Sequence, residues 1–222
     1  MRWFGPAVWC VSLAACGVVF GFAGAISGFE LPQPDAAVAA SESEAQLHRN
    51  ILAYILERNP NASKTAFRNY PAVVIAESAR TGIDHCLALA QAQAESDFRP
   101  DAVGSAGEIG LYQMLPSTAA LLVPVVGPFR RPSVRRIERD LGDLADPIVS
   151  TRFAMAYLRD ILARKPTVRD ALIEYNGGPR YRQPHYYRTV MATYVEILER
   201  PSLGCRFREA PAPKSPLIAF AR

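Results

Sequence analysis

The run Ala94-Glu95-Ser96-Asp97-Phe98 places a carboxylate at the end of an alanine-rich stretch. On a helix, Gln91 and Ala92 stand one turn back from Glu95 and Ala88 two turns back, so its helical neighbours are uncharged. The C-terminal end of a helix also carries the negative pole of the macrodipole. Both conditions disfavour the ionised form and raise a carboxyl pKa. A group that must hold a proton near neutral pH and then deliver it as a general acid needs that shift. A solvated glutamate at a fraying helix end is the plain alternative, and Glu95 taken alone does not decide between them. Other chemistries lack their signatures. The histidines are His48, His85 and His185, far apart, and there is no His-Glu-x-x-His, Cys-x-x-Cys or Gly-x-Ser-x-Gly. No glycine-rich phosphate loop follows a strand. Neither a metal site nor a cofactor is expected.

The elements that must position Glu95 read as helices. The capping-box spacing of Ser41 and Glu44 predicts a helix start, with Leu47, Ile51, Leu52 and Ile55 following at helical spacing and Asn59-Pro60-Asn61 stopping it. Pro71 opens a second helix that Thr81-Gly82 closes, and Asp84 is a good N-cap for a third, running from His85 to about Ser96. Further helices are predicted over 117–122, 147–163, 168–174 and 186–200, with Pro124 breaking the stretch 123–126. Strand signals are weak throughout. With 222 residues, 50% of them hydrophobic and 21% charged, the chain can bury one ordinary core. The expected division is a leader over 1–30, a linker over 31–43, one mainly α domain over 44–206 and a proline-rich tail over 207–222.

The net charge of +4, from 25 basic and 21 acidic residues, is too mild for a duplex-binding surface, and no nucleic-acid partner is expected. From Trp3 to Gly28 no residue is charged, and Arg2 precedes the run. A cleaved signal ending near Ala23-Gly24-Ala25, an uncleaved membrane anchor and a lipoprotein modified at Cys16 are the three readings of this leader. All three export the rest of the chain. Cys86 and Cys205 are then the two exported cysteines outside the leader, and an oxidising compartment favours a disulfide between them over two free thiols.

Downstream of Glu95 the sequence is punctuated in a specific order. Asp101-Ala102-Val103-Gly104 leads to Gly107-Glu108-Ile109-Gly110-Leu111-Tyr112-Gln113-Met114 and then Pro116-Ser117-Thr118-Ala119. Asp146-Pro147 precedes Tyr157-Leu158. Glu174-Tyr175-Asn176-Gly177-Gly178-Pro179 follows, with Tyr187, Val190 and Tyr194 on a closing helix. From about Tyr70 to Tyr194 this order resembles the lytic transglycosylase domain of the soluble-lytic-transglycosylase type. The resemblance implies a mainly α, lysozyme-like fold with a glycan cleft, peptidoglycan glycan strands as substrate, and Glu95 as the acid/base. It further implies that Ser96 orients that carboxyl and that Gly110, Leu111, Tyr112 and Gln113 wall the cleft. Tyr175 would present its hydroxyl near Glu95 or the substrate's N-acetyl group, and Asn176 would fix the local turn. A monomer in the bacterial periplasm is expected, attached to the membrane through its N-terminus if the leader is retained. An envelope machine is a candidate partner.

The chain also departs from that pattern. Ser150 and Ala154 replace the usual Asn and Gly, while Glu108 and Glu174 stand where many members carry small uncharged residues. The stretch 123–140, with Arg130, Arg131, Arg135, Arg136 and Arg139, reads as an enlarged basic loop. Asp97, expected on a continuing helix, would point away from Glu95 and is not expected to act as a second carboxylate. Hydrolysis by a goose-type lysozyme activity and a non-catalytic wall-binding role are the alternatives.

Overall fold

The computed structural model describes residues 36–133, 140–180 and 184–205; the leader with Cys10 and Cys16, Arg135, Arg136 and Arg139, and the tail lie outside the described residues. Seven α-helices are described: α1 (Ala36–Arg58), α2 (Tyr70–Thr81), α3 (His85–Ser96), α4 (Pro116–Val126), α5 (Pro147–Leu162), α6 (Val168–Gly177) and α7 (His185–Leu198). Short 3-10 turns cover Gly142–Ala145 and Pro201–Leu203. Two isolated β-bridges, Val103 to Ile109 and Ile109 to Met114, lie in the loop after α3. Among the described residues no helix is long and apolar enough to cross a membrane.

The helix α3 is interior. Cys86 through Ala92 are all buried, so α3 is packed on every side rather than along one stripe. It lies against α7 and α2, while α5 packs on α2, α4 and α6. Its start is capped as expected: the Asp84 carboxylate accepts from the Cys86 N–H at 3.1 Å. Its end is sharper than expected. Asp97 (φ 52°) and Phe98 (φ 55°) both take the left-handed conformation, so the helix does not continue through Asp97. Such backbone costs of order 1 kcal/mol per residue. Here it is offset by complete burial of the Phe98 ring and by the Asn59 side chain, which donates to the Phe98 carbonyl at 3.2 Å.

Two helices differ from their predicted limits. α1 begins at Ala36, which makes part of the expected linker helical and leaves Ser41 and Glu44 inside the helix instead of capping it. α4 runs through Pro124 to Val126. Proline there removes one hydrogen bond close to the C-terminal end, and the Gly127 N–H still donates to the Val123 carbonyl at 2.9 Å.

Cys86 and Cys205 are joined, with Cα atoms 5.7 Å apart and a sequence separation of 119. Asp84, His85 and Cys86 bring a carboxylate, an imidazole and a sulfur within 4.8 Å of one another. Each has a structural partner. Cys86 is bonded to Cys205, Asp84 accepts from the Tyr194 hydroxyl at 2.7 Å, and His85 Nε2 meets the Leu203 carbonyl at 2.8 Å. A groove of about 790 Å³ opens beside this cluster, between α1 and the 201–204 turn. It is about 15 Å along α3 from Glu95, at 1.5 Å per residue.

Candidate active site

Glu95 sits on the last turn of α3, partly buried. Burial pushes its carboxyl up from 4.5 to about 7; the Tyr186 hydroxyl draws it down and the Glu108 charge adds to the rise. The group is therefore protonated through mildly acidic conditions. Two tyrosines, Tyr175 and Tyr186, lie within reach of its charge, and a third ring, Tyr157, packs on Tyr175. The rings of Tyr157 (α5) and Tyr175 (α6) are 5.3 Å apart, and Tyr175 and Tyr186 (α7) stack at 6.3 Å with 7° between their planes. Burial, then the Glu95 charge, holds both the Tyr175 and the Tyr186 hydroxyls well above the usual tyrosine range.

Tyr186 is the residue that sequence reasoning missed. The resemblance points to its neighbour Tyr187 on the closing helix, yet Tyr186 is buried against Glu95 and Tyr187 is only partly buried. The signal lay in the i, i+4, i+8 spacing of Tyr186, Val190 and Tyr194, all buried on α7.

The loop between α3 and α4 is held by the residues that the motif highlights. The Ser96 hydroxyl donates to the Leu111 carbonyl at 2.9 Å and accepts from the Arg99 N–H at 3.2 Å, so it ties the loop to the helix end and does not orient the Glu95 carboxyl. Leu111 and Tyr112 are fully buried, and the Tyr112 hydroxyl meets that of Tyr70 at 3.0 Å. They are core residues beneath the site, not the cleft wall expected from the resemblance. Gln113 takes φ 46°, and its Nε2 donates to the Gly110 carbonyl at 2.9 Å and to the Ala102 carbonyl at 3.2 Å. Its amide nitrogen is thus spent on the loop. Gly110 has φ +83°, and a Cβ there would come within 2.0 Å of the Leu144 carbonyl oxygen. The Tyr175 hydroxyl donates to the Tyr112 carbonyl at 3.1 Å, which fastens α6 to the same loop. Asn176 is exposed within α6, and the turn expected of it is made instead by Gly178 at φ +77°.

The departures from the pattern find places as well. Ser150 and Ala154 are buried in α5, Ser150 beside Gly110, where they pack and meet no solvent. Glu174 is buried and held by Arg164 and by Lys165, whose Nζ lies at 2.6 Å. Burial works to raise its carboxyl, but hydrogen bonds from Lys165 and Arg164 outweigh that and hold it below the ordinary range. Glu108 is different: it accepts from the Ala106 N–H at 3.0 Å and its charge reaches Glu95. Arg130 pairs with Asp140 and Asp143 and is part of a local ion network.

The family model of the Transglycosylase SLT domain matches residues 72–188, just over half of the chain. The chain belongs to this family. Its helical, lysozyme-like fold follows, and the span takes in Glu95, the 97–115 loop, Tyr175 and Tyr186. Among solved structures, an inactive mutant of the lytic transglycosylase Slt from Pseudomonas aeruginosa is similar over 60% of this chain, at 20% identity and a TM-score of 0.47. The similarity covers 24% of that longer chain. No curated protein matches.

Proposed function

We propose that this chain is a peptidoglycan lytic transglycosylase that cleaves the β-1,4 bond from N-acetylmuramic acid to N-acetylglucosamine, with Glu95 as the single acid and base. The observation that carries the reading is a partly buried glutamate inside the matched span, on the last turn of α3, whose carboxyl burial raises to about 7; the sequence resemblance gives this residue the part of the acid. Protonated Glu95 gives its proton to the leaving glycosidic oxygen as the C1–O bond breaks. The carboxylate left behind takes the proton of the muramyl C6 hydroxyl while that oxygen bonds to C1. A 1,6-anhydro ring closes, no water is consumed, and Glu95 returns to its starting state. Because the nucleophile belongs to the same sugar, its effective molarity is high. The substrate's own N-acetyl group can shield the cationic transition state, as in substrate-assisted glycosidases.

The stacked rings of Tyr175 and Tyr186, backed by Tyr157, supply a dry wall beside Glu95. Ser96, Gly110, Gln113 and Tyr175 support it by fixing the loop beside Glu95. Export by the leader places this chemistry in the periplasm or envelope; the Cys86–Cys205 bond is in keeping with an oxidising compartment. Membrane attachment through the N-terminus and service to an envelope machine belong to the same proposal.

The test is digestion of purified sacculi followed by mass spectrometry of the released glycan. The expected ends are 1,6-anhydro sugars, lighter by one water than hydrolytic ends, and Glu95→Gln reduces release by about 10²–10⁴-fold. Reducing ends from the wild type would replace this reading with a lysozyme-type hydrolysis, and unchanged release by Glu95→Gln would remove Glu95 from the mechanism.

A further inference from the structure

Gln91 is a polar side chain inside the buried stretch of α3 to which the mechanism gives no task. It is 2% exposed, stands one turn before Glu95, and its Nε2 has no hydrogen bond of ordinary geometry. A buried amide donor left without a partner is costly, and a leucine of similar volume would pack there without the cost. The Tyr186 hydroxyl is also buried and also lacks a bond of ordinary geometry, yet it lies close enough to interact with both the Gln91 amide and the Glu95 carboxyl. The Tyr186 ring is fixed by its stack on Tyr175, so that hydroxyl has a defined position.

We propose that Gln91 is a positioning residue that acts on Glu95 through Tyr186: the Gln91 amide donates to the Tyr186 oxygen, whose own O–H donates to the Glu95 carboxylate. This inference rests on the reading of Glu95 as acid and base and assigns the regulation of that group. Donors in series polarise one another, so a hydroxyl that accepts from an amide is a better donor in turn. The chain of donors favours the charged form of Glu95. It therefore offsets part of the burial effect and steadies the carboxylate that exists after the proton has gone to the sugar. The titratable and charged groups that face Glu95 are Glu108 from the 97–115 loop, Tyr175 from α6 and Tyr186 from α7. Glu108 opposes the carboxylate, and Tyr186 is the neighbour that favours it.

The experiment follows the Glu95 carboxyl carbon by NMR titration and, separately, the alkaline limb of kcat/KM on glycan strands. The proteins are the wild type, Gln91→Leu, Gln91→Asn, Tyr186→Phe and the Gln91→Leu/Tyr186→Phe double variant, with melting by circular dichroism to check each fold. Gln91→Leu is expected to move both readouts upward by about half to one pH unit, the worth of one hydrogen bond. Gln91→Asn, whose shorter amide falls short of Tyr186, does the same, and it stands in if the leucine variant fails to fold. Tyr186→Phe shifts the midpoint upward at least as far, and Gln91→Leu adds nothing in that background, because both variants break one chain. An unmoved midpoint in Gln91→Leu overturns the proposal, as does an equal further shift when Tyr186 is already phenylalanine. The NMR titration does not depend on turnover, so a shifted midpoint in a protein that releases no anhydro sugar upholds the chain of donors and defeats only the functional reading.

Discussion

A carboxyl that keeps its proton to about pH 7 weighs on the fold around it. Below about pH 4.5 Glu95 is protonated in the folded and the unfolded chain alike. Between 4.5 and about 7 the folded state retains a proton that the unfolded state has released, so stability falls as pH rises. At 1.36 kcal/mol per unit the total loss is about 3 kcal/mol, complete above pH 7. Glu95→Gln removes the ionisation. It is therefore expected to match the wild type in urea unfolding at pH 4 and to exceed it by about 3 kcal/mol at pH 8; equal stabilities at pH 8 would show that Glu95 ionises without strain. Much of this residue was legible in the sequence: an uncharged helical neighbourhood and a helix C-terminus both point to a raised pKa. Tyr186 was not, because its contact joins two helices 91 residues apart and its own neighbours in sequence offer two more candidates, His185 and Tyr187. The task of Ser96 was misread for a related reason. Its partner, the Leu111 carbonyl, is a backbone atom, and no residue type announces it.

Glu95 is placed by the element that ends beneath it. Asp84 caps α3 and also accepts from Tyr194, which couples the start of α3 to α7. Asp84→Ala is expected to cost about 1–2 kcal/mol by chemical denaturation, the worth of a cap with one further hydrogen bond. A loss below the scatter of the measurement would mean that packing alone holds α3. At the other end, Gly110 lets the loop close on Leu144. Gly110→Ala combines a left-handed backbone with a clash against the Leu144 carbonyl and should cost more than about 1 kcal/mol. It should lower activity as well, since the same loop carries Glu108 and fastens Tyr175. Wild-type activity in that variant would free the loop from any part in the site. Helix caps such as Asp84, Pro71 and Gly82 could be read in advance because a cap is a local device. The start of α1 could not, since Ser41 and Glu44 satisfy the capping pattern but the helix runs on ahead of them. The left-handed turn at Asp97 and Phe98 was equally hidden, because its compensation is the burial of a ring in the core.

At the scale of the molecule, the disulfide ties the stretch after α7 back to the start of α3, and so joins the end of the described chain to the helix that carries Glu95. With the cysteines 119 positions apart in sequence, the chain-entropy account assigns the link about 4–5 kcal/mol. Reduction, or the Cys86→Ala/Cys205→Ala pair, is expected to lower the unfolding free energy by that order in urea melts. A change under 1 kcal/mol would mean that the packing of α3 on α7 suffices. Acid stability has its own determinant. The depressed Glu174 carboxyl contributes stability that is present above its ordinary pKa and is lost as pH falls through the lowered value. The general architecture was legible because helical spacing, caps and four ordered sequence blocks agree. The placement of Leu111 and Tyr112 was not: a motif names positions, and only the packed core decides which of them face inward.

The most direct measurement is the titration of the Glu95 carboxyl carbon in the intact protein, read beside the pH dependence of glycan release. The account predicts a midpoint near 7 that coincides with the alkaline limb of activity. A midpoint near 4.5, with activity still strong at pH 6, would contradict it.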